Sequence, residues 1–561
     1  MKRRLMMSWV VLAAGMLFVA CNGKKKINGT TPPPNGNGGK EGDLGPMGKG
    51  TSKPKIKLTK KEKKSYEKAV KVYLEAAKEA EKNGAWTGDL CKKTADAFSA
   101  VAAGNPRLFA HGKHNEGISW LHCGKKKRAK AAFSAVMGKK PNFAPTLVSL
   151  GYLKSEQGNI EGAFKNFQKA FLSDMRNAEA SYNMGVYYRE KTKSGAKLTN
   201  AQRRSFMSLK APQGHYAYRN WIQNKLTRRG KKLTYKELAL RHLRTVLAIT
   251  SGSKEPNAAL LNLKAYTMIA LVYTDAADKL RAQLALANLV IKEAEKLIDG
   301  YNKRVEKEKL PPLCKGKNPT PMDKAVAELK NVHGLVALKK KEKDLVNAMK
   351  RFTAAVSCDP DFWEAHMNIG AIALGFRGYR RAKASFEVVL KEKPKYPEAV
   401  MGLGVAYRGL SALAMADAKD KAISEAEAHY KKVMTIVKPQ DKLYADALYN
   451  LGLLYQDYKV GNSDEDNKKR LESARSYYQK YAKHPKTERK AKKNALTRAK
   501  DITRTFKIMA QMADLKRKQE ERERRLKEQE KNKPRPRPRG DGAKDGKGAP
   551  RSANPRPARA R

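Results

Sequence analysis

The chain has 561 residues, of which 41% are hydrophobic, enough to bury a large core, yet 118 Lys+Arg against 55 Asp+Glu leave a net +63. In a cytosolic protein that balance would point to nucleic acid, but the N-terminus argues against a cytosolic home. No run after the N-terminal one approaches the roughly 20 apolar residues that a helix needs to span a bilayer.

Residues 1–20 have the form of a secretory signal. Lys2, Arg3 and Arg4 supply the charged start, and Trp9 to Val19 form an apolar stretch too short for an ordinary transmembrane helix. The stretch ends in Leu17-Phe18-Val19-Ala20-Cys21, which resembles the bacterial lipobox. By that resemblance Cys21 becomes the acylated mature N-terminus. Phe18 departs from the pattern, because Leu17 sits one place earlier than the usual leucine. Each buried acyl methylene contributes about 0.8 kcal/mol, so a multiply acylated cysteine is a lasting anchor. Asn22 follows where some inner-membrane lipoproteins carry Asp. That favours the periplasmic face of the outer membrane, with the inner membrane as the alternative.

Residues 21–57 are rich in Gly, Pro, Asn and Lys, and are expected to form a flexible, disordered tether. Within them, Gly45-Pro46-Met47-Gly48-Lys49-Gly50-Thr51 is only faintly like a phosphate loop. It lacks a hydroxyl residue directly after the lysine and a helix to follow. From Leu58 the pattern turns helical, with apolar residues three and four apart. Gly117, Gly151 and Gly185 are spaced by 34 residues, and Ala129, Phe133 and Val136 recur 34 residues later as Ala163, Phe167 and Ala170. The comb reappears as Ala348, Phe352, Ala355 and Pro360, then Ala382, Phe386, Val389 and Pro394. Small residues let two helices approach, the aromatic fills the groove, and proline stops the second helix. This comb resembles the tetratricopeptide (TPR) repeat family, whose period is 34 residues. The resemblance implies an all-α fold, a TPR-type α-solenoid of about eight helix–turn–helix units over residues 58–484.

An insertion at about 194–232 delays one second helix to near Leu238–Ile249, and the segment 257–300 has only a weak motif in Ala270 and Tyr273. Residues 485–531 are expected to form a long capping helix. Its first half carries Ile502, Phe506, Ile508, Met509 and Met512, and its charged second half should protrude. The Pro/Arg-rich tail from 532 is expected to be disordered. From Lys531 onward it holds eleven basic and two acidic residues, a net +9.

No catalytic constellation is present, which points away from an enzyme, and no cofactor or metal site is implied. His111, His114, His122 and Cys123 cluster in sequence, but their spacing fits a structural role better than a metal site. Four cysteines besides Cys21 permit disulfides in an oxidising compartment. The repeat register favours Cys91–Cys123 and Cys314–Cys358, because antiparallel neighbours bring those helix ends together. In the TPR family, ligands lie along the face made by first helices. Mapping that register gives Tyr182, Asn183, Val186 and Arg189, then Met367, Asn368 and Ala371, then Tyr449, Asn450 and Leu453. At the place of Asn183, Asn368 and Asn450 the family often uses Asn to bind a peptide main chain. The alternative is an Asn that merely suits a crowded helix pair.

These features describe a lipid-anchored periplasmic scaffold that binds envelope proteins. The layout resembles the TPR lipoproteins of the adventurous gliding-motility machinery of myxobacteria and relatives. The alternatives are a pilotin-like or outer-membrane-assembly lipoprotein, or an adaptor of a cell-wall hydrolase or protease. The basic tail suits peptidoglycan or anionic lipid, and the signal opposes nucleic acid as a partner.

Overall fold

A computed structural model describes residues 58–83, 85–202, 233–251, 256–276, 282–308, 312–316, 318–340 and 344–531. The signal segment, Cys21, the tether, most of the insertion and the tail lie outside the described residues. Regular structure within them consists of nineteen α-helices and one π-helical turn. None of these helices is long and apolar enough to cross a membrane. The chain divides into two compact units, Met1–Lys432 and Val433–Arg561.

The first unit is a TPR-type α-solenoid of eight successive helix pairs. In chain order they are Lys60–Lys82 with Gly88–Gly104, Phe109–His122 with Lys126–Lys139, Ala144–Glu156 with Ile160–Ser173, and Ala178–Lys193 with Tyr235–Thr250. Then come Pro256–Asp275 with Ala282–Glu308, Pro321–Leu338 with Leu345–Cys358, Trp363–Gly375 with Tyr379–Glu392, and Pro397–Ser411 with Ala416–Ile436.

The comb in the sequence works as a ring laid on a glycine. A Cβ at Gly151 would lie 2.5 Å from Phe167 Cε1, and one at Gly334 2.5 Å from Phe352 Cε1. Gly370 stands in the same way against Phe386, and Gly404 against Tyr430. These rings are buried, and each contributes about 1.5–3 kcal/mol of apolar transfer. Their glycines therefore cost less in helix propensity than they gain in approach.

Local signals set the helix ends. Thr234 with Glu237 and Thr320 with Asp323 form capping boxes, Pro321 occupies the first turn, and Asn159, Asn177 and Asp344 cap other N-termini. Between the helices of pairs two, three and four the chain reverses through Gly124, Gly158 and Gly195, with φ of 66°, 83° and 71°. In pair seven the corresponding place, directly after the cap residue Phe376, belongs to Arg377, with φ of 57°. The insertion returns to the core at both ends: Leu198 and Leu233 are buried in it, and Tyr235 Oη donates to Gln202 Oε1 at 3.1 Å.

The second unit contains helices Lys442–Leu453, Asp464–Lys483 and Arg489–Lys531. A further glycine–ring contact joins the first two, with Gly452 against Tyr478. Helix Lys442–Leu453 ends in the π turn Leu454–Tyr458, whose carbonyls of Tyr455 and Gln456 accept from Arg470 at 2.9 and 3.0 Å. In the last helix, Ile502 is buried and Phe506 and Met509 pack on the core. Ile508 and Met512, expected to cap alongside them, are exposed instead. They fall on the helix face turned away from Ala495, Ala499 and Ile502, so the capping stripe is narrower than the apolar count suggests.

Candidate functional site

The cysteines that the repeat register brings together are bonded. Cys91 joins Cys123 with Cα atoms 6.3 Å apart, and Cys314 joins Cys358 with Cα atoms 4.2 Å apart. The neighbouring histidines are built into the core. His122 Nε2 is 2.8 Å from Tyr73 Oη, and its ring stacks on Trp86 at 4.2 Å. His114 Nδ1 is 3.1 Å from Thr146 Oγ1, and His111 packs edge-on to Phe143. Burial holds all three below the usual imidazole range, at about 4 for His111, 3 for His114 and 4 for His122. Among the described residues no group of three metal-ligating side chains forms.

The polar first-helix residues expected to form a groove already have partners within the fold. Asn183 Nδ2 donates to Tyr152 Oη at 2.8 Å and to the Glu179 carbonyl at 2.7 Å. Asn183 Oδ1 is buried and has no hydrogen-bond partner. Arg189 is buried, with Nη2 2.7 Å from Asp275 Oδ2 and Nη1 3.2 Å from Glu190 Oε1. Tyr182 is buried and Val186 half-buried on the same helix. In pair seven Asn368 Nδ2 donates to Asn331 Oδ1 at 3.1 Å, and Met367 is half-buried beside it.

Asn115, at the equivalent place in pair two, donates to Tyr66 Oη at 3.1 Å. In these three pairs the Asn ties one first helix to the first helix before it. In the second unit Asn450 Nδ2 donates to the Asp446 carbonyl at 2.7 Å. Tyr449 there packs on Tyr478 and Tyr481, and Leu453 is half-buried.

Glu179 lies beside this ladder. The residue is half-exposed as a whole, but its Oε2 is buried and unpartnered. Burial raises its carboxyl to about 8, so it is protonated at neutral pH.

A cleft opens at pair five, where no site was expected. It has a volume of about 340 Å³ and is lined by Asn262, Leu263, Lys296, Leu297, Tyr301 and Arg304, among others. Asn262 is buried, and its Oδ1 has no hydrogen-bond partner. Lys296 pairs with Glu293 at 2.8 Å and is otherwise open to solvent. Leu286, Leu289 and Leu297 are exposed on the same helix, at spacings that put them on one face leading to the cleft. The readable signal was the surplus of leucines in residues 284–297, more than one buried stripe can absorb.

No known protein family profile matches the chain, and no curated protein matches it. Among solved structures it is similar to a human IFIT1 dimer with PPP-AAAA, at 15% identity over 74% of this chain and 89% of that one, TM-score 0.28. It is also similar to yeast Tom70, at 12% identity over 81% and 99%, TM-score 0.26. A third is the TPR domain of P58(IPK), at 16% identity over 71% and 100%, TM-score 0.21. At these scores neither geometry nor function transfers from them.

Proposed function

We propose that this TPR-type solenoid is a scaffold that binds protein partners while lipid on Cys21 holds it to a membrane. The binding part rests on one observation, the cleft of pair five with its approach of exposed leucines. An apolar side chain fits its floor, a peptide N–H would satisfy Asn262 Oδ1, and an acidic group would meet Lys296 and Arg304. Exposed leucines gathered on one face of a helix are the kind of feature that marks an interaction surface.

The finer reading places the chain on the periplasmic face of the outer membrane, within an envelope-spanning gliding-motility complex, with its basic tail on peptidoglycan or anionic lipid. The lipobox and the layout of the chain support it. Two experiments test the two halves. A photo-crosslinking residue at Leu289 should capture a discrete envelope partner in cells, whereas one at exposed Lys130 should not. Equal labelling at both positions removes the cleft from the argument. A secretin or β-barrel protein as the captured partner would move the chain to outer-membrane assembly. Separately, Cys21→Ala should abolish incorporation of a clickable fatty acid and release the protein from membranes. An unlabelled wild-type protein would end the lipoprotein reading.

A further inference from the structure

Apart from the leucines of helix Ala282–Glu308, the large apolar side chains exposed among the described residues of the first unit are Val346, Phe376, Leu413 and Met415. They are 78%, 61%, 72% and 88% exposed. All four stand at the reversal between the first and second helix of a pair, in three consecutive pairs. Val346 is the second residue of helix Leu345–Cys358, Phe376 caps helix Trp363–Gly375, and Leu413 and Met415 lie between Ser411 and Ala416. These reversals lie at the same end of successive pairs: Arg381 Nη2 donates to Thr353 Oγ1 at 2.9 Å, from the second helix of pair seven to that of pair six. Gly409, near the end of its helix, lies directly against the ring of Tyr379, which opens the helix after the Phe376 turn.

A second observation points to the same edge. Gly124, Gly158 and Gly195 take the left-handed place after the helix cap in pairs two to four, where glycine is unstrained. Arg377 takes it in pair seven, a conformation that L side chains rarely adopt. The exposed guanidinium beside Phe376 is thus held at a cost to the backbone. Arg380 and Arg381 follow on the exposed side of the next helix, and Lys339 and Lys340 stand in the turn before Val346. Of the acids at this edge, Asp344 is tied to Lys340 at 3.4 Å and caps Asn347, while Asp417 is open beside Met415. The reversals of pairs two and three, Gly124-Lys125-Lys126 and Gln157-Gly158-Asn159, carry no apolar tip.

We infer that the turns of pairs six, seven and eight form an edge that contacts an anionic phospholipid membrane, with Phe376, Leu413, Met415 and Val346 entering the interface and the arginines on headgroup phosphates. Tips that stand on separate turns do not make one contiguous patch for a folded partner. A fluid interface takes each side chain singly and rewards basic residues beside them. The inference stands on the turns and not on acylation of Cys21, so the two can fail independently.

The test uses the full chain with Cys21→Ala. The cysteines at 91, 123, 314 and 358 are then all in disulfides, and Met415→Cys provides a single thiol for an environment-sensitive fluorophore. With equimolar phosphatidylcholine–phosphatidylglycerol vesicles the label should shift to the blue, whereas with phosphatidylcholine alone it should not. A label at Gln157→Cys should stay in water in both. Phe376→Ser with Leu413→Ser leaves net charge unchanged and should weaken binding to the mixed vesicles about tenfold. Arg377→Gly should weaken binding while raising the thermal midpoint, which separates a headgroup contact from a folding role. A label at 415 that stays as wet as one at 157 on bound vesicles would overturn the inference, leaving the basic tail to hold them. So would undiminished binding of the double serine variant, or no binding to the mixed vesicles at all.

Discussion

Pairs three and six set a ring squarely on a glycine, and pairs four and five do not. Gly151 meets Phe167 and Gly334 meets Phe352, but Gly185 meets Leu243, with a Cβ there 2.6 Å from Leu243 Cγ. Pair five has no glycine in its first helix. Where the flat ring fills the slot, the pair closes on itself. Where it is missing, the pairs are held by longer-range means: Arg189 on Asp275, Lys236 on Gln283 at 2.7 Å, and Arg244 on Tyr273 at 2.9 Å. It is there that the cleft opens and leucines reach the surface.

The largest effect expected from breaking this contrast comes from the rings. Phe352→Ala should cost about 3–5 kcal/mol, because the facing glycine has no side chain with which to refill the space. Leu243→Ala should cost less, about 2–3 kcal/mol. Hydrogen exchange over residues 321–358 and 178–250 measures the two losses separately, and equal losses would remove the special standing of the ring. Next in size is the clasp on the regular N-terminal pairs. Cys91→Ala with Cys123→Ala opens a loop of 32 residues and should cost about 3–4 kcal/mol on chain-entropy grounds, read as a fall in the denaturation midpoint.

Acid should act with opposite signs on the buried histidines and on the buried Glu179 carboxyl. His114 and His122 in pair two, and His242 in pair four, have imidazoles depressed by burial to about 3, 4 and 3. The unfolded chain therefore binds more protons, and stability is lost as pH falls from about 6.5 toward 4, on the order of 2 kcal/mol for each histidine by pH 5. Glu179, raised to about 8 by burial, binds more protons when folded. It loses stability as pH rises from about 4.5 through 8. Glu179→Gln should therefore stabilise pairs three and four at pH 8 by about 1–3 kcal/mol and change little at pH 5. A gain of the same size at both pH values would mean that the carboxyl is not the buried charge the geometry describes. A smaller contrast lies in the glycines. Gly151→Ala presses a Cβ on a ring and should cost about 1–3 kcal/mol. Gly138→Ala, which meets nothing within 4 Å on helix Lys126–Lys139, gains helix propensity and should be neutral to slightly stabilising in thermal melts.

What was legible in the sequence was what repeats. Glycine, alanine and phenylalanine at 34-residue intervals are the residues that fix the approach of two helices, so the comb is itself the packing. Pair five was hard to read because Ala270 and Tyr273 are all that remain of it, and its helices are held by contacts between residues far apart in sequence. The Asn positions were legible as positions and ambiguous as roles. Asn183 and Asn368 offer an amide toward the neighbouring first helix, and only in the folded chain is it plain that Tyr152 and Asn331 already take it. The exposed tips at Phe376 and Met415 left no sequence signal either, because a single apolar residue in a turn is ordinary until its neighbours on successive turns are known. The π turn at Leu454–Tyr458 depends on Arg470 reaching back to two carbonyls, a tertiary cause with no local mark.

The smallest effect on stability should accompany the largest effect on binding, and that separation is the sharpest test of what the irregular pair is for. Leu289 is 48% exposed on helix Ala282–Glu308 and outside the buried core. Leu289→Asp should change folding stability by no more than about 0.5 kcal/mol, as surface substitutions away from special features do. If the leucines of this face are the approach to the cleft, the same change sets a carboxylate where an apolar partner must dry the surface, and should lower affinity for the captured partner at least tenfold, about 1.4 kcal/mol. Leu260, buried on the first helix of the same pair, gives the opposite profile: Leu260→Ala should cost about 2–5 kcal/mol of stability whatever binds outside. If Leu289→Asp destabilises the helix as Leu260→Ala does, the leucine belongs to the core and the irregular pair is only a weaker repeat. If it leaves both folding and capture untouched, the cleft is not where the partner sits. Loss of capture with folding intact is the outcome that assigns the departure from the repeat to binding.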